Sequence, residues 1–367
     1  MNESTNSNIL ENILEEPLSL WMKGGSKTDE IVLSSRIRLA RNLADSPFPP
    51  RATKNELFEV VEQLRPLAGI LSRAENSDYD FVELTQMMPP EREILVEKHI
   101  ISPQHVQEAE QRAIIVRADA AVSIMINEED HLRLQVMKGG FDLDGAMKEA
   151  DIIDDNIEDF CKIAFNEQLG FLTSCPTNIG TALRASVMMH LPALTMAGHI
   201  ARVVSFASKT GLAVRGLYGE GTEAVGNIFQ ISNQVTLGLS EEEIIENLKS
   251  VVKEIVDKEK YARELLVSDA QNALADRVWR SFGILRYSRE ISGREALTKL
   301  SEVRLGIDLG IIPFNRPEIF NELLIKTRPN VLKKMAKNYE LSKEEINRVR
   351  SDVIRKEFER RGGFGYS

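Results

Sequence analysis

The chain has 367 residues, a formal net charge of −10, and a composition that is 43% hydrophobic and 28% charged. That is the balance of a soluble globular protein with room for more than one domain. The acidity argues against a general binder of nucleic acid or membrane surfaces, while leaving a local basic pocket open. The 2 cysteines, Cys161 and Cys175, show no metal-ligand spacing, which fits a reducing, cytoplasmic setting and no protein-held metal.

In chain order, residues 1–27 read as a leader with one helix around Ile9 to Met22; their polar, acidic start is not a secretory signal. Residues 28–257 read as a mixed α/β region. Within it, Ala113 to Val116 and Val122 to Ile126 are buried strands. His131 to Met137 alternates, with Leu132, Leu134 and Val136 on one face. Asn127 to Asp130 lies between two of these strands and is a hairpin turn. Gly145 to Gln168 and Thr181 to Met189 carry helical patterns, with Arg184 opening the second. Cys161 falls in the apolar stripe Ile153, Ile157, Phe160, Ala164. Leu212 to Leu217 and Ile228 to Leu237 are further strands. Val187 to Phe206 is apolar but is interrupted by His190, Pro192, His199 and Arg202, so no membrane span is expected.

Residues 258–367 turn almost wholly helical. Ser240 with Glu243 forms a capping box, and Ser342 with Glu345 another, opening a helix with the stripe Ile346, Val349, Val353, Phe358. The fold class is α+β: an antiparallel sheet flanked by helices, followed by a helical C-terminal domain.

Several constellations could carry chemistry, and each has a bland reading. Glu128-Glu129-Asp130 could be a solvated turn, and Gly219-Glu220-Gly221-Thr222-Glu223 a surface loop. Arg36, Arg38, Arg133, Arg184 and Arg215 could each be in surface ion pairs, but together they have the makings of a phosphate clamp. Cys175 could be inert, or a reactive thiol at a turn before a helix start. There is no Gly-x-x-x-x-Gly-Lys-Ser/Thr loop, no His-Arg-Asp and no Asp-Phe-Gly. If ATP binds, arginines and Mg²⁺ must do the work of a P-loop.

Five segments, in order, resemble the catalytic motifs of the guanidino (phosphagen) kinases. They are Ser34-Ser35-Arg36-Ile37-Arg38, Asn127-Glu128-Glu129-Asp130-His131-Leu132-Arg133, Thr173-Ser174-Cys175-Pro176-Thr177-Asn178, Arg184-Ala185-Ser186-Val187 and the Arg215 to Glu223 loop. Ile231-Ser232-Asn233 fits too. Within that superfamily the chain is most similar to the bacterial protein arginine kinases. Ser34 stands too early to leave room for the helical N-terminal domain of small-substrate kinases. Tyr218 stands where those enzymes resemble one another in having an arginine.

The resemblance implies a guanidino-kinase catalytic domain over 28–257 and a helical domain over 258–367. It implies that Arg36, Arg38, Arg133, Arg184 and Arg215 hold ATP phosphates, with His99 near the nucleotide and Arg92 a further candidate. The motif positions Ser34, Ser35, Ile37, Ala185, Ser186, Val187, Met188, Gly216, Leu217, Tyr218 and Gly219 would line the nucleotide site. Glu129 and Glu220 would hold the target guanidinium, with Cys175 beside them and Glu223 a rival for Glu220. ATP with Mg²⁺, protein substrates bearing arginine, a homodimer, an activator protein and Clp-type protease machinery are further implications, with work in stress response and protein quality control. The family's phosphoarginine-reading motif, Arg-Asp-x-x-Arg-Ala, has its nearest match at Ile346-Asn347-Arg348-Val349-Arg350-Ser351, where Ile346, Asn347 and Ser351 replace the family residues. The alternatives are a small-molecule guanidino kinase making free phosphoarginine, and a pseudokinase acting as an adaptor.

Overall fold

The computed structural model describes residues 7–16, 19, 22, 31–216, 224–314 and 319–361. Its strands are β1 (Val32–Arg41), β2 (Tyr79–Glu83), β3 (Ala113–Arg117), β4 (Val122–Ile126), β5 (Leu132–Gly139), β6 (Phe165–Asn166), β7 (Gly170–Phe171), β8 (Leu183–His190), β9 (Leu212–Gly216) and β10 (Ile228–Asn233). The main sheet has the order β2-β3-β4-β5-β1-β8-β10-β9, and β6 pairs with β7 in a small separate hairpin. The chain divides into two compact units. The first holds residues 1–21, 34–186 and 232–249; the second holds 22–33, 187–231 and 250–367.

In the first unit, β2, β3, β4, β5 and β1 pair antiparallel, each with the next in that order. Register fixes what each face carries. Ile37 opposes Val136, and Leu39 opposes Leu134; Val136 and Leu134 in turn oppose Val122 and Ile124. This apolar face is fully buried, each such side chain contributing about 1.5–3 kcal/mol. Helix Leu143–Phe160 covers it through Ala146, Ala150, Ile153 and Ile157. The cover is pinned by Arg41 to Asp154 at 2.6 Å and Lys138 to Glu149 at 2.5 Å. The other face carries Arg36, Arg38 and Arg133 with Gln135 and Ser123. Segment 99–102 lies on this second face. Gln135 Nε2 donates to His99 O at 2.8 Å, and Ser123 Oγ donates to Ile100 O at 2.7 Å.

Three sequence expectations fail here. Thr181 to Met189 is not a helix: Leu183–His190 is strand β8, and Arg184 lies in it. Ala, Leu, Arg and Met favour helix in isolation, but β8 sits between β1 and β10, and burial on both faces hides the two-residue period. The long helix ends at Phe160, not Gln168, with Cys161 in extended geometry at its C-cap. Residues 162–164 are captured instead by the chain leaving β1: Ala44 N–H donates to Lys162 O at 2.9 Å, and Ala164 N–H to Asn42 O at 2.7 Å. The N-terminal helix runs Ser7–Glu15, and most of the expected remainder to Met22 lies outside the described residues. Strand β10 also stops early, because the Asn233 side chain takes over the pairing. It accepts from Ala185 N–H at 2.9 Å and donates to Leu183 O at 3.0 Å.

The second unit is helical apart from its strands. Helix Glu241–Tyr287, which starts in the first unit, is broken at Ala270; helices Gly293–Asp308, Ile319–Lys326, Pro329–Met335 and Lys343–Arg361 follow. Val278, Phe282, Leu297, Leu300, Phe320 and Phe358 are central to its core. Both expected capping boxes form: Ser240 N–H donates to Glu243 at 2.7 Å, and Ser342 N–H to Glu345 at 2.8 Å. The last helix buries Arg350, Ile354 and Phe358, so Ile346, Val349 and Val353 flank the buried stripe instead of forming it. Arg350 donates to Thr327 O at 2.9 Å and Ile291 O at 3.0 Å, and Ser351 Oγ donates to Ser288 O. Among the described residues no helix is long and apolar enough to cross a membrane.

Candidate active site

The turn between β4 and β5 gives each residue a separate task. Asn127 closes it in a left-handed conformation (φ 59°) that Asn tolerates better than most residues. Its Nδ2 donates to Leu57 O and Gln111 O, both at 2.8 Å. Glu128 is buried and receives Arg133 at 2.6 Å and Ser102 Oγ at 2.6 Å. Burial pushes its carboxyl up, but Arg133 and Ser102 more than offset this and hold it below the usual range. Asp130 accepts from Asn42 Nδ2 at 2.6 Å and from Ser174 N–H at 2.7 Å. His131 accepts from Leu43 N–H on Nδ1 at 3.1 Å, which leaves Nε2–H to donate to Pro47 O at 3.1 Å; burial pushes this imidazole down to about 4.

Glu129 is the exposed member of the turn. Desolvation, then Asp130 and Glu128, raise its pKa, and Arg133 and then a hydrogen bond with Cys175 lower it in part. The thiol of Cys175 is also 3.0 Å from Thr177 Oγ1. A carboxylate and a thiol are thus brought into contact by residues 127–131 and 173–177. Cys161, by contrast, is 7% exposed, donates to Ile157 O at 3.3 Å, and has its thiol pushed up to about 11 by burial.

Arginines gather on the polar face of the sheet. Arg36 Nε donates to Ser186 Oγ at 3.2 Å, so Ser186 and Arg184, two residues apart on β8, share the face with Arg36 and Arg38. Burial, then Arg133 and Arg184, push Arg36 down to about 10. Arg38 is lowered by burial and then by Arg36, Arg133 and Arg184, with Glu128 opposing. Guanidinium stays charged at neutral pH, so these shifts reflect the cost of burying cations and, after it, their mutual repulsion, both of which a polyanion would relieve. The buried Arg38 Nε has no hydrogen-bond partner, which is a donor facing unmet demand. A triphosphate fits this face.

The remaining expected residues are placed as follows. Ile37 and Ser35 alternate onto the opposite face, where Ser35 Oγ donates to Gly140 O at 2.9 Å and accepts from Asp142 N–H at 2.9 Å. Ser34 is buried, and so are Ala185 and Val187, whose side chains alternate away from Arg184 and Ser186, whereas Met188 is half-buried. His99 adopts φ 60° beside Gln135. Arg92 donates to Met87 O at 2.8 Å, closing the start of its own helix. Arg215 is exposed on β9 and Gly216 ends that strand. Leu217, Tyr218, Gly219, Glu220 and the alternative Glu223 lie outside the described residues. Sequence reasoning missed Glu128 as the partner of Arg133, and Asp130, Asn42 and Ser102 as anchors. The carboxylate run flagged the first two, but nothing local marked Asn42 or Ser102.

Arginines facing one another beside a carboxylate and a thiol suit phosphoryl transfer to a guanidinium, and the comparisons agree. The family described as "ATP:guanido phosphotransferase, C-terminal catalytic domain" matches residues 61–262, which sets the class as guanidino kinase. A second family, described as "Protein-arginine kinase McsB C-terminal domain", matches residues 271–363. A curated protein-arginine kinase of Brevibacillus brevis is 45% identical over 342 residues, covering 93% of this chain and 96% of that protein. One of Halalkalibacterium halodurans is 49% identical over 327 residues, 89% of this chain and 92% of that protein. Among solved structures, the duplicated taurocyamine kinase of Schistosoma mansoni with bound transition-state-analogue components is similar at TM-score 0.58 and 29% identity. That match covers 71% of this chain and 39% of the duplicated one. The chain belongs to the protein-arginine kinase family of guanidino phosphotransferases.

Proposed function

We propose that this chain transfers the γ-phosphoryl group of ATP to the guanidinium of arginine residues in proteins. The observation that carries the site assignment is the meeting of Arg36, Arg38, Arg133 and Arg184 on one sheet face, close enough to feel one another's charge. In this reading they hold the triphosphate, with Ser186 and the His99 segment beside them; Arg215 is a further phosphate ligand on the family resemblance alone. Among the described residues no three His, Cys, Asp or Glu side chains group as a metal site. In this reading Mg²⁺ arrives on the ATP phosphates, where it offsets charge.

Guanidinium is a poor nucleophile because its lone pairs are delocalised and its pKa exceeds about 12. Glu129 holds it by hydrogen bonds, with Glu220 or Glu223 as the second carboxylate, and aims one nitrogen at the γ-phosphorus. The N–P bond forms as the bond from the γ-phosphorus to the bridging oxygen breaks and ADP leaves. The nitrogen's proton passes to Glu129, whose raised pKa makes it a better acceptor. Cys175 adds a polarisable sulfur next to the cation. Positioning and charge do most of the remaining work.

The division into a leader (1–27), a catalytic domain (28–257) and a helical domain (258–367) is part of the same proposal. So are a cytoplasmic homodimer, an activator protein, and service to a Clp-type protease in protein quality control. The family's phosphoarginine-reading pocket is not carried over, because Arg350 is committed to backbone carbonyls.

The test supplies labelled ATP to the enzyme with equal concentrations of free arginine and an arginine-rich protein, and separates products without acid. Label on protein guanidinium is expected. Faster transfer to free arginine would instead make it a small-molecule kinase, and no turnover would make it an adaptor.

A further inference from the structure

Beside the site, within the same unit, apolar side chains stand in solvent. Val235 is 48% exposed, Leu237 51%, Leu239 40%, Phe165 58% and Leu169 45%. They belong to two segments that are fastened to the cysteine loop. Thr236, between the first two, donates from Oγ1 to Ile179 O at 2.7 Å and Thr177 O at 3.1 Å, and its carbonyl accepts from Thr181 N–H at 3.1 Å. Gly180 packs so closely on Thr236 O that any Cβ there would collide with it. On the other side Gly180 bridges to Phe171. Phe171 meets Phe165 edge-on at 5.2 Å and carries the Arg41 guanidinium 3.4 Å above its ring. The strip is therefore held rigidly, a few residues from Cys175.

At its far end the strip runs from Leu239 through Ser240 into an acidic cleft of about 250 Å³. Asp144, Asp151, Glu241, Glu242 and Glu246 line it, with Lys148; Lys249 pairs with Asp144 and Glu246. Carboxylates outnumber these cations. Exposed apolar side chains next to a charged recess are the composition of a recognition surface. Its neighbour is the loop that carries Cys175, and in the kinase reading the target guanidinium sits there.

We propose that the strip and the cleft dock the polypeptide that flanks the target arginine. The occupant is an extended substrate segment that presents apolar side chains to Leu237 and Leu239 and a further Lys or Arg to the cleft. A folded protein keeps such apolar side chains inside, so this surface selects unfolded segments. The charge of the cleft complements a basic neighbour and would repel an acidic one. This inference rests on the protein-arginine kinase reading.

The experiment compares wild type with Leu237→Ser/Leu239→Ser, using casein, which is unfolded, and the tripeptide amide Gly-Arg-Gly as acceptors for labelled ATP. Both side chains are exposed, so the double variant keeps its fold, checked by its Tm. Loss of their contacts should lower kcat/KM for casein about tenfold, through KM, and leave the tripeptide unchanged. Glu242→Gln should weaken the salt dependence of casein KM. Unchanged casein kinetics, or equal losses on casein and tripeptide, overturns the docking surface while the kinase reading stands. A change in association state on sedimentation would assign the strip to a contact between copies and overturn it too. Wild type that labels neither acceptor would sink the kinase reading, and the docking surface with it.

Discussion

Asp130 accepts a 2.7 Å hydrogen bond from the backbone N–H of Ser174, and this one bond holds Cys175 against Glu129. The same carboxylate oxygen takes the Asn42 amide at 2.6 Å. Three distant segments, the end of β1, the β4–β5 turn and the cysteine loop, are thus tied at one buried atom. Asp130→Ala should leave KM for ATP near wild type, because the arginine face is untouched, and lower kcat by about 10²-fold, the scale of a small misplacement. The measurement is steady-state kinetics on a protein acceptor. A rise in KM for ATP with kcat retained would show that Asp130 does not act through the Glu129–Cys175 contact.

Glu129→Gln should cut turnover by about 10²–10⁴-fold, the worth of a positioned acid–base group. Wild-type kcat should rise with pH through a step above about 4.3, the ordinary glutamate value, since its pKa is raised. That acid limb should vanish in the variant. A carboxyl whose folded-state pKa is raised adds stability only below its unfolded pKa and loses it as pH rises through the folded one. Glu129→Gln should therefore not lower Tm at pH 7, and a fall would show that the ionised group supports the fold.

Glu128 has the opposite sign. Its folded-state pKa is lowered, so its contribution is present above the unfolded value and is lost as pH falls through the folded one. Glu128→Ala leaves Arg133 unpaired among like charges, and should cost roughly 3–5 kcal/mol of stability by denaturant titration. A change under 1 kcal/mol (on the order of a surface pair) would mean that the pair is not structural.

Arg38→Met removes a repelled cation whose Nε lacks a partner. It should raise the stability of the ligand-free protein by about 1 kcal/mol and abolish the stabilisation by Mg-ATP that is expected of wild type. Thermal melts with and without Mg-ATP read both effects. Retained ATP stabilisation would remove Arg38 from the phosphate site.

Alkylation should separate the cysteines. Cys175 is half-buried beside Glu129, whereas Cys161 is buried with its thiol pushed up to about 11. Peptide mapping after limited iodoacetamide should find label on Cys175 first. Equal rates at both would show that the helix end opens readily.

The sequence by itself determined β3 and β4 as buried strands, the alternation of β5, both capping boxes, the β4–β5 turn and the arginines as a candidate clamp. All of these are signals carried within a few residues. Period-2 burial, a Ser with a Glu three residues on, and paired charges state their own physics locally. Tertiary structure alone decided the rest. Leu183–His190 reads as a helix, and becomes a strand because β1 and β10 supply its backbone partners on either side. The helix of Asp154 ends at Phe160 because Asn42 and Ala44 capture the next residues, and no breaker in the sequence announces that. Which carboxylate of Glu128-Glu129-Asp130 clamps Arg133, which stays exposed beside Cys175 and which holds the cysteine loop also cannot be read locally. Three adjacent acids are chemically alike until partners 26 residues upstream, at Ser102, and further away, at Asn42 and Ser174, are brought within hydrogen-bond reach.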